Sequence, residues 1–169
     1  MAYPSSALKA GDRLPDVEAI GSGGKSVRLR ALSNDRPLLL VFVRCTYCTG
    51  CMAYARHLAE WTPRLNEASL SVALCLTEGW KAVHRWAEED KMPMVVLADV
   101  SREASKQLGI YKALGFDSFR QARPSAFLVD PSGEIRWSSV FPEDEEKAPK
   151  LDDYLALADR VRGALSANS

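Results

Sequence analysis

The sequence predicts an α/β fold in which helices cover both faces of a mixed central sheet. Short apolar runs alternate with segments of helical period along the first two thirds of the chain, which is typical of parallel strands joined by helices. Two strand patterns around a tight turn then precede a last helix, which adds antiparallel strands to the sheet. At 169 residues the chain is one domain over 1–169, and a chain of this size buries roughly 70% of its unfolded surface.

Seven strands are predicted between turn residues. They span 17–20, 26–30, 38–43, 70–76, 95–98, 126–129 and 134–137. The first two flank a Gly-Ser-Gly-Gly segment and form an N-terminal hairpin, and the last two flank Asp130-Pro131-Ser132-Gly133. The run Leu38–Val43 is apolar throughout, which predicts a strand buried on both faces at the centre of the sheet.

Four helices are predicted among these strands. The first begins at or just after Cys48, and Pro63 is expected to kink or end it. The third has Ser101 as its N-cap and Gly109 just past its end. The second and fourth begin near residues 80 and 151. A loop is expected over 111–123.

Charge and hydropathy exclude several classes of partner. Lys plus Arg and Asp plus Glu both number 22, so no net charge attracts nucleic acid or an acidic membrane surface. No stretch approaches the roughly 18 apolar residues of a membrane span, and residues 1–11 lack the apolar run of a signal peptide. These observations predict a cytoplasmic protein, where clustered cysteines indicate catalysis or metal binding.

Three of the four cysteines lie within residues 45–51. The unpaired N–H groups of the first helical turn favour a thiolate on Cys48. Cys51, one turn further and on the apolar face, would be shielded until a mixed disulfide forms on Cys48, and would then attack it. We therefore predict Cys48 as the nucleophile and Cys51 as the resolving thiol. Cys45 is predicted as a loop cysteine or an auxiliary thiol.

An apolar strand followed by Tyr47-Cys48-x-x-Cys51 and a helix resembles the thioredoxin active site, with tyrosine replacing the usual tryptophan. The segment Arg123–Gly133 is similar to the cis-proline loop and last hairpin of the larger thioredoxin-like proteins, including the alkyl hydroperoxide reductase and thiol-specific antioxidant group. Gly11–Asp16 resembles the N-terminal segment of the same proteins. The resemblance covers about residues 11–165 and implies a thioredoxin fold of three α/β/α layers.

The resemblance also implies positions for substrate contacts. It places Pro124 against the cysteine pair, where the family offers backbone groups to a substrate strand. Tyr47 beside the cysteines is predicted to contact the same substrate. Arg44 and Arg123 flank the two loops, and either could stabilise a thiolate or bind an anionic substrate.

Three functions follow from this pattern. The first is a thiol-disulfide oxidoreductase that uses Cys48 and Cys51, a protein or small-molecule thiol or disulfide as substrate, and a cellular reductant, without cofactor. The alternative is an atypical peroxiredoxin-like peroxidase, although Cys45 stands where peroxiredoxins place threonine or serine three residues before the reactive cysteine. The third is a copper-binding, zinc-binding or redox-sensing module that uses all three clustered cysteines.

Overall fold

A computed structural model of the protein describes residues 2–112, 121–142 and 145–167. Its strands are β1 (Glu18–Ile20), β2 (Ser26–Arg28), β3 (Leu38–Val43), β4 (Ser71–Leu76), β5 (Val95–Ala98), β6 (Tyr111–Lys112), β7 (Gln121–Ala122), β8 (Ser125–Val129) and β9 (Ile135–Val140). Its α-helices are α1 (Thr49–Glu67), α2 (Trp80–Glu89), α3 (Glu103–Gln107) and α4 (Leu151–Ala167). Short 3-10 helices cover Ser22–Gly24, Leu29–Ser33 and Glu145–Lys147.

Seven of the strands form one mixed sheet in the order β2-β1-β5-β4-β3-β8-β9. Strands β3, β4 and β5 are parallel to one another, whereas β8 is antiparallel to β3 and pairs with β9 as the predicted hairpin. The N-terminal hairpin of β1 and β2 joins the sheet through one bridge, between Ile20 and Ala98. Strand β3 lies inside the sheet as predicted, one place from the middle strand β4.

Helices cover both faces of this sheet. Alternate residues of β3 point to opposite sides, and all six are at most 1% exposed. Leu39, Val41 and Val43 face the core formed with α1 and α4. The other three residues of β3 face a second core that α3 and the N-terminal segment complete. The predicted mixed sheet between two helical layers is therefore confirmed.

Helix α1 runs four residues past Pro63, so of the two predicted effects, a kink or an end, the end is wrong. Proline removes one backbone donor from the helical ladder. Thr62 supplies a different bond there, since its hydroxyl donates to the carbonyl of Leu58 at 2.7 Å. Leu65 is fully buried, and its packing holds the last turn against the sheet.

The start of α3 differs from the predicted cap. Arg102, in the left-handed region at φ 64°, occupies the N-cap and makes no side-chain cap bond. The hydroxyl of Ser101 accepts the N–H of Glu103 at 3.3 Å. The buried carboxylate of Asp99 accepts the next two N–H groups, those of Ala104 at 3.2 Å and Ser105 at 2.8 Å. A carboxylate at a helix start satisfies donors that the helix cannot pair itself.

The predicted loop over 111–123 is wrong at both ends, where β6 and β7 pair as an antiparallel ladder. The N–H of Arg123 extends this pairing by donating to the carbonyl of Ile110 at 2.8 Å. Short loop ends that approach each other gain backbone hydrogen bonds by pairing. The centre of the predicted loop, residues 113–120, lies outside the described residues. Within the described ranges no helix combines the length and hydropathy needed to cross a membrane.

Candidate active site

Cys48 is the N-cap residue of α1, so the helix begins where the sequence predicts. Its backbone is extended, at φ −83° and ψ 109°, and its sulfur accepts a hydrogen bond from the N–H of Cys51 at 3.2 Å. The side chain is half-buried. A backbone donor on the sulfur, at the positive end of a helix, stabilises a thiolate more than a thiol.

Cys51 lies in the first turn of α1 on its buried side and is 2% exposed. It faces a narrow apolar crevice at the edge of the core. The crevice is lined by Val43, Gly50, Cys51, Tyr54, Pro124, Phe141, Pro142 and Ala148. The thiol of Cys51 is therefore screened from solvent, while Cys48 above it remains partly accessible.

Pro124 shares this crevice with Cys51, so the fold brings the two predicted loops together. The peptide bond before Pro124 is trans, and the resemblance to a cis-proline loop is wrong on this bond. The trans form is the lower-energy one for most X–Pro bonds, by about 0.5–1 kcal/mol. The carbonyl of Pro124 accepts the N–H of Phe141 at 3.0 Å, so one of its lone pairs is used within the fold.

Tyr47 and Arg123 both present exposed side chains near the cysteines. Tyr47 directly precedes Cys48 and is 83% exposed, an unusual position for a large aromatic ring. Arg123 directly precedes Pro124 and is also exposed. Their exposure makes both available to a substrate or partner, and their predicted roles in substrate binding stay predictions.

The other two cysteines lie in different surroundings. Cys45 is 3% exposed, and its carbonyl accepts the N–H of Cys48 at 3.3 Å, which closes a turn between the two residues. Cys75 lies on β4 in the core on the opposite face of the sheet from Cys51. Burial, reinforced by the nearby charge of Asp99, raises the pKa of the Cys75 thiol well above its ordinary value. Cys75 is therefore an unreactive core residue.

The metal site of the third hypothesis has no counterpart in the part of the chain that the structure describes. No group of three or more His, Cys, Asp or Glu side chains there is arranged to hold a metal ion. Thiolates bind copper or zinc only when several of them converge on one point. The structure therefore gives no support to a metal site on Cys45, Cys48 and Cys51.

Sequence reasoning missed two residues that follow β4. The hydroxyl of Thr77 donates to the carbonyl of Arg44 at 3.1 Å and accepts the N–H of Ala122 at 3.3 Å, so it joins the cysteine loop to the strand before Arg123. The carboxylate of Glu78 accepts hydrogen bonds from Thr46. The sequence signal that could have identified them is their position directly after a predicted parallel strand, because ligand sites lie at the carboxyl ends of such strands.

Tyr54 lies one turn after Cys51 and forms part of the crevice wall. Its hydroxyl donates to the carbonyl of Pro149 at 2.9 Å and lies 2.5 Å from the hydroxyl of Tyr154. Burial raises the pKa of the Tyr54 phenol above its ordinary value. Tyr54 therefore stays neutral at physiological pH and fastens α1 to α4.

Comparison with known proteins gives consistent matches over most of the chain. The sequence model of the AhpC/TSA family matches residues 10–138. Peroxiredoxin Bcp of Escherichia coli is 25% identical over 130 residues, which cover 76% of this chain and 83% of that protein. A putative peroxiredoxin of Mycobacterium tuberculosis is 23% identical over 128 residues, covering 76% of this chain and 82% of its own.

Solved structures agree with the sequence matches. Peroxidoxin BcpB from Mycobacterium tuberculosis superposes with a TM-score of 0.79 at 22% identity, covering 91% of this chain and 98% of that one. Peroxiredoxin 5 from Alvinella pompejana superposes with a TM-score of 0.77 at 20% identity, covering 90% and 99% of the two chains. At these identities the similarity concerns the fold, and it confirms the thioredoxin fold.

Proposed function

Because the chain belongs to the AhpC/TSA family, we propose that it is a thiol-dependent oxidoreductase in which Cys48 attacks the substrate and Cys51 resolves the product. The observation that carries the proposal is the hydrogen bond from the N–H of Cys51 to the sulfur of Cys48, at 3.2 Å. It puts a donor on the accessible sulfur and places a second, buried cysteine in the same helical turn.

With a disulfide as substrate, the Cys48 thiolate attacks one sulfur and the S–S bond of the substrate breaks. One half of the substrate leaves as a thiolate and takes a proton from solvent, and the other half stays bound as a mixed disulfide. Cys51 loses its proton and attacks the sulfur of Cys48, which releases the second half. The substrate gains two electrons, the enzyme forms a Cys48–Cys51 disulfide, and a cellular reductant restores the two thiols.

A hydroperoxide is the second candidate substrate, favoured by the relatives named peroxiredoxins. The Cys48 thiolate would attack the terminal peroxide oxygen, the O–O bond would break, and an alcohol or water would leave after protonation. The resulting sulfenic acid would then condense with Cys51 to give the same disulfide and one water. Both candidates use the same two sulfurs and end in the same disulfide, but they differ in the bond that Cys48 attacks and in the intermediate, a mixed disulfide or a sulfenic acid.

We further propose which residues contact the substrate, which partners play no role and where the enzyme works. Exposed Tyr47 and Arg123 would contact the substrate, which is a protein or small-molecule disulfide or a hydroperoxide. Balanced charge supports no role for nucleic acid or a membrane surface. We propose the cytoplasm as the enzyme's location, because a reducing compartment keeps the catalytic cysteines as thiols between turnovers.

Stopped-flow mixing of the reduced full chain with hydrogen peroxide, and separately with a disulfide, tests the proposal and ranks the two substrates. We expect oxidation by at least one of them, with all reactivity lost in Cys48→Ser. Cys75→Ala is the matched control, because Cys75 is buried on the other face of the sheet and should not affect the rate. Full activity in Cys48→Ser would contradict the proposal. Faster reaction with peroxide would assign a peroxidase, and faster exchange would assign a disulfide oxidoreductase.

A further inference from the structure

In the loop that carries Cys48, Cys45 is buried, but the residue next to Cys48 does not pack into the core. Tyr47 is 83% exposed, so its ring does not anchor the loop in the core. The loop leaves β3 after Val43 and reaches the first residue of α1, Thr49. The position of the Cys48 sulfur over the first turn of α1 therefore depends on the hydrogen bonds that the loop residues 44–48 make.

Two consecutive residues after β4 supply such bonds. Thr77 donates through its hydroxyl to the carbonyl of Arg44, at 3.1 Å, at the beginning of the loop. The carboxylate of Glu78 accepts a hydrogen bond from the N–H of Thr46, which lies in the middle of the loop, two residues before Cys48. Because β3 and β4 are adjacent parallel strands, their carboxyl ends lie side by side and bring these residues against the loop.

Glu78 holds Thr46 at both its backbone and its side chain. One carboxylate oxygen accepts the Thr46 N–H, and the Thr46 hydroxyl lies 2.9 and 3.0 Å from the two oxygens. Hydrogen bonds to a charged acceptor are stronger than neutral ones, and a carboxylate that receives both a backbone and a side-chain donor fixes the backbone direction at that residue. Both residues are half-buried, which reduces competition from water.

We propose that Glu78 is a positioning residue for Cys48: acting through Thr46, its carboxylate fixes the cysteine loop so that the Cys48 sulfur stays within reach of the Cys51 N–H. Glu78 acts through the loop and does not touch the reacting atoms. The inference rests on the proposed function, because positioning matters only if Cys48 is the reacting thiol. It assigns a role to an acidic residue that lies outside both the cysteine loop and α1.

The test measures the second-order rate of Cys48 alkylation by iodoacetamide in the reduced full chain, between pH 5 and pH 9, with no physiological substrate. We expect Glu78→Ala to slow alkylation at pH 7 about tenfold, because the loop no longer holds the sulfur beside its donor. Glu78→Gln keeps an oxygen that can accept from Thr46, and should stay within about threefold of wild type. Glu89→Ala, which removes an exposed carboxylate from α2, is the matched control and should leave the rate unchanged.

A double-mutant cycle separates positioning from an independent effect of charge. Thr46→Val removes only the hydroxyl bonds and should slow alkylation about threefold, whereas Thr46→Ser retains them and should restore the rate. The Thr46→Val/Glu78→Ala pair should be no slower than Glu78→Ala alone. Multiplied effects in the pair, equal losses in Glu78→Ala and Glu78→Gln, or an unchanged Glu78→Ala would each overturn the proposal.

The positioning role can still be tested if Glu78→Ala fails to fold. The Thr46 variants leave Glu78 in place, and thermal melting reports whether each is folded. Slower alkylation in Thr46→Val, restored in Thr46→Ser, would support the positioning role, and equal rates in the two would overturn it. Because alkylation needs neither a peroxide nor a disulfide, a wild-type enzyme inert to both would refute the proposed function and leave this result intact.

Discussion

The tyrosine pair beside the crevice predicts an unequal cost for two similar substitutions. Each phenol carries one proton. Tyr54 donates its proton to the carbonyl of Pro149, so the 2.5 Å contact between the two hydroxyls requires Tyr154 to donate to Tyr54. The bonds therefore run in one direction, from Tyr154 through Tyr54 to Pro149. Tyr54→Phe breaks both bonds, and Tyr154→Phe breaks only one.

The magnitudes follow from which groups are left buried and unpaired. Tyr54→Phe strands the hydroxyl of Tyr154, which is 1% exposed, and a buried unsatisfied group costs about 1–3 kcal/mol. Pro149 is partly exposed, so water can replace the donor to its carbonyl. Tyr154→Phe removes one net bond, at about 0.5–1.5 kcal/mol. The double variant has no phenol at either position, so no buried hydroxyl is left unpaired, and it should be about 1 kcal/mol more stable than Tyr54→Phe alone.

Urea unfolding at pH 7, followed by circular dichroism, measures the free energy of unfolding of the three variants. We expect Tyr54→Phe to lose more stability than Tyr154→Phe, and the double variant to recover part of the loss. Equal costs for the single variants, or strictly additive costs in the double variant, would refute the inferred direction of the bonds.

Three further substitutions test the fold. Burial would raise the pKa of Asp130, but hydrogen bonds from a serine, an arginine and a backbone N–H outweigh it and lower that pKa. The wild-type free energy of unfolding should therefore fall as pH drops below about 4, the ordinary pKa range of aspartate. In urea unfolding at a series of pH values, Asp130→Asn should lose less stability over the same acid range, and an equally steep loss would contradict this. Gly109 has φ 74°, and a Cβ there would lie 2.0 Å from the carbonyl oxygen of Ser6, so Gly109→Ala should lower the free energy of unfolding by about 2 kcal/mol or more; a near-neutral result in urea would contradict the close approach. Pro63→Ala restores a helical donor inside α1 and should raise the free energy of unfolding by about 1–2 kcal/mol. Urea unfolding that shows no gain would contradict this prediction.

The sequence predicts the sheet well because its strands are marked by unbroken apolar runs. Leu38–Val43 and Val95–Ala98 begin and end where the pattern places them. Helix α1 extends past Pro63 because the burial of Leu65 against the sheet, which the local sequence does not record, stabilises its last turn. The hydroxyl of Thr62 adds a local bond to the carbonyl of Leu58. The pairing of β6 with β7 depends on where two loop ends meet in space, which no local periodicity records.

The same distinction between local patterns and contacts made only in the folded structure applies to the candidate site. Cys48 and Cys51 are predictable from spacing, since a helix start and one helical turn follow from local sequence. Glu78 and Thr77 are not, because they reach the loop from the neighbouring strand, more than 30 residues away along the chain. The trans bond at Pro124 shows that a resemblance transfers the position of a residue more safely than its backbone geometry.

Mapping the first disulfide formed during oxidation tests the central claim most directly. All three clustered cysteines lie between Arg44 and Arg56, in one tryptic peptide. Reduced protein is oxidised with one equivalent of hydrogen peroxide or a disulfide, quenched, alkylated and sequenced by mass spectrometry, with Cys45→Ser as the comparison. We expect a Cys48–Cys51 disulfide in both proteins, formed at similar rates. A disulfide between Cys45 and Cys48, or a lasting sulfenic acid on Cys48 with Cys51 still reduced, would contradict the assignment of Cys51 as the resolving thiol.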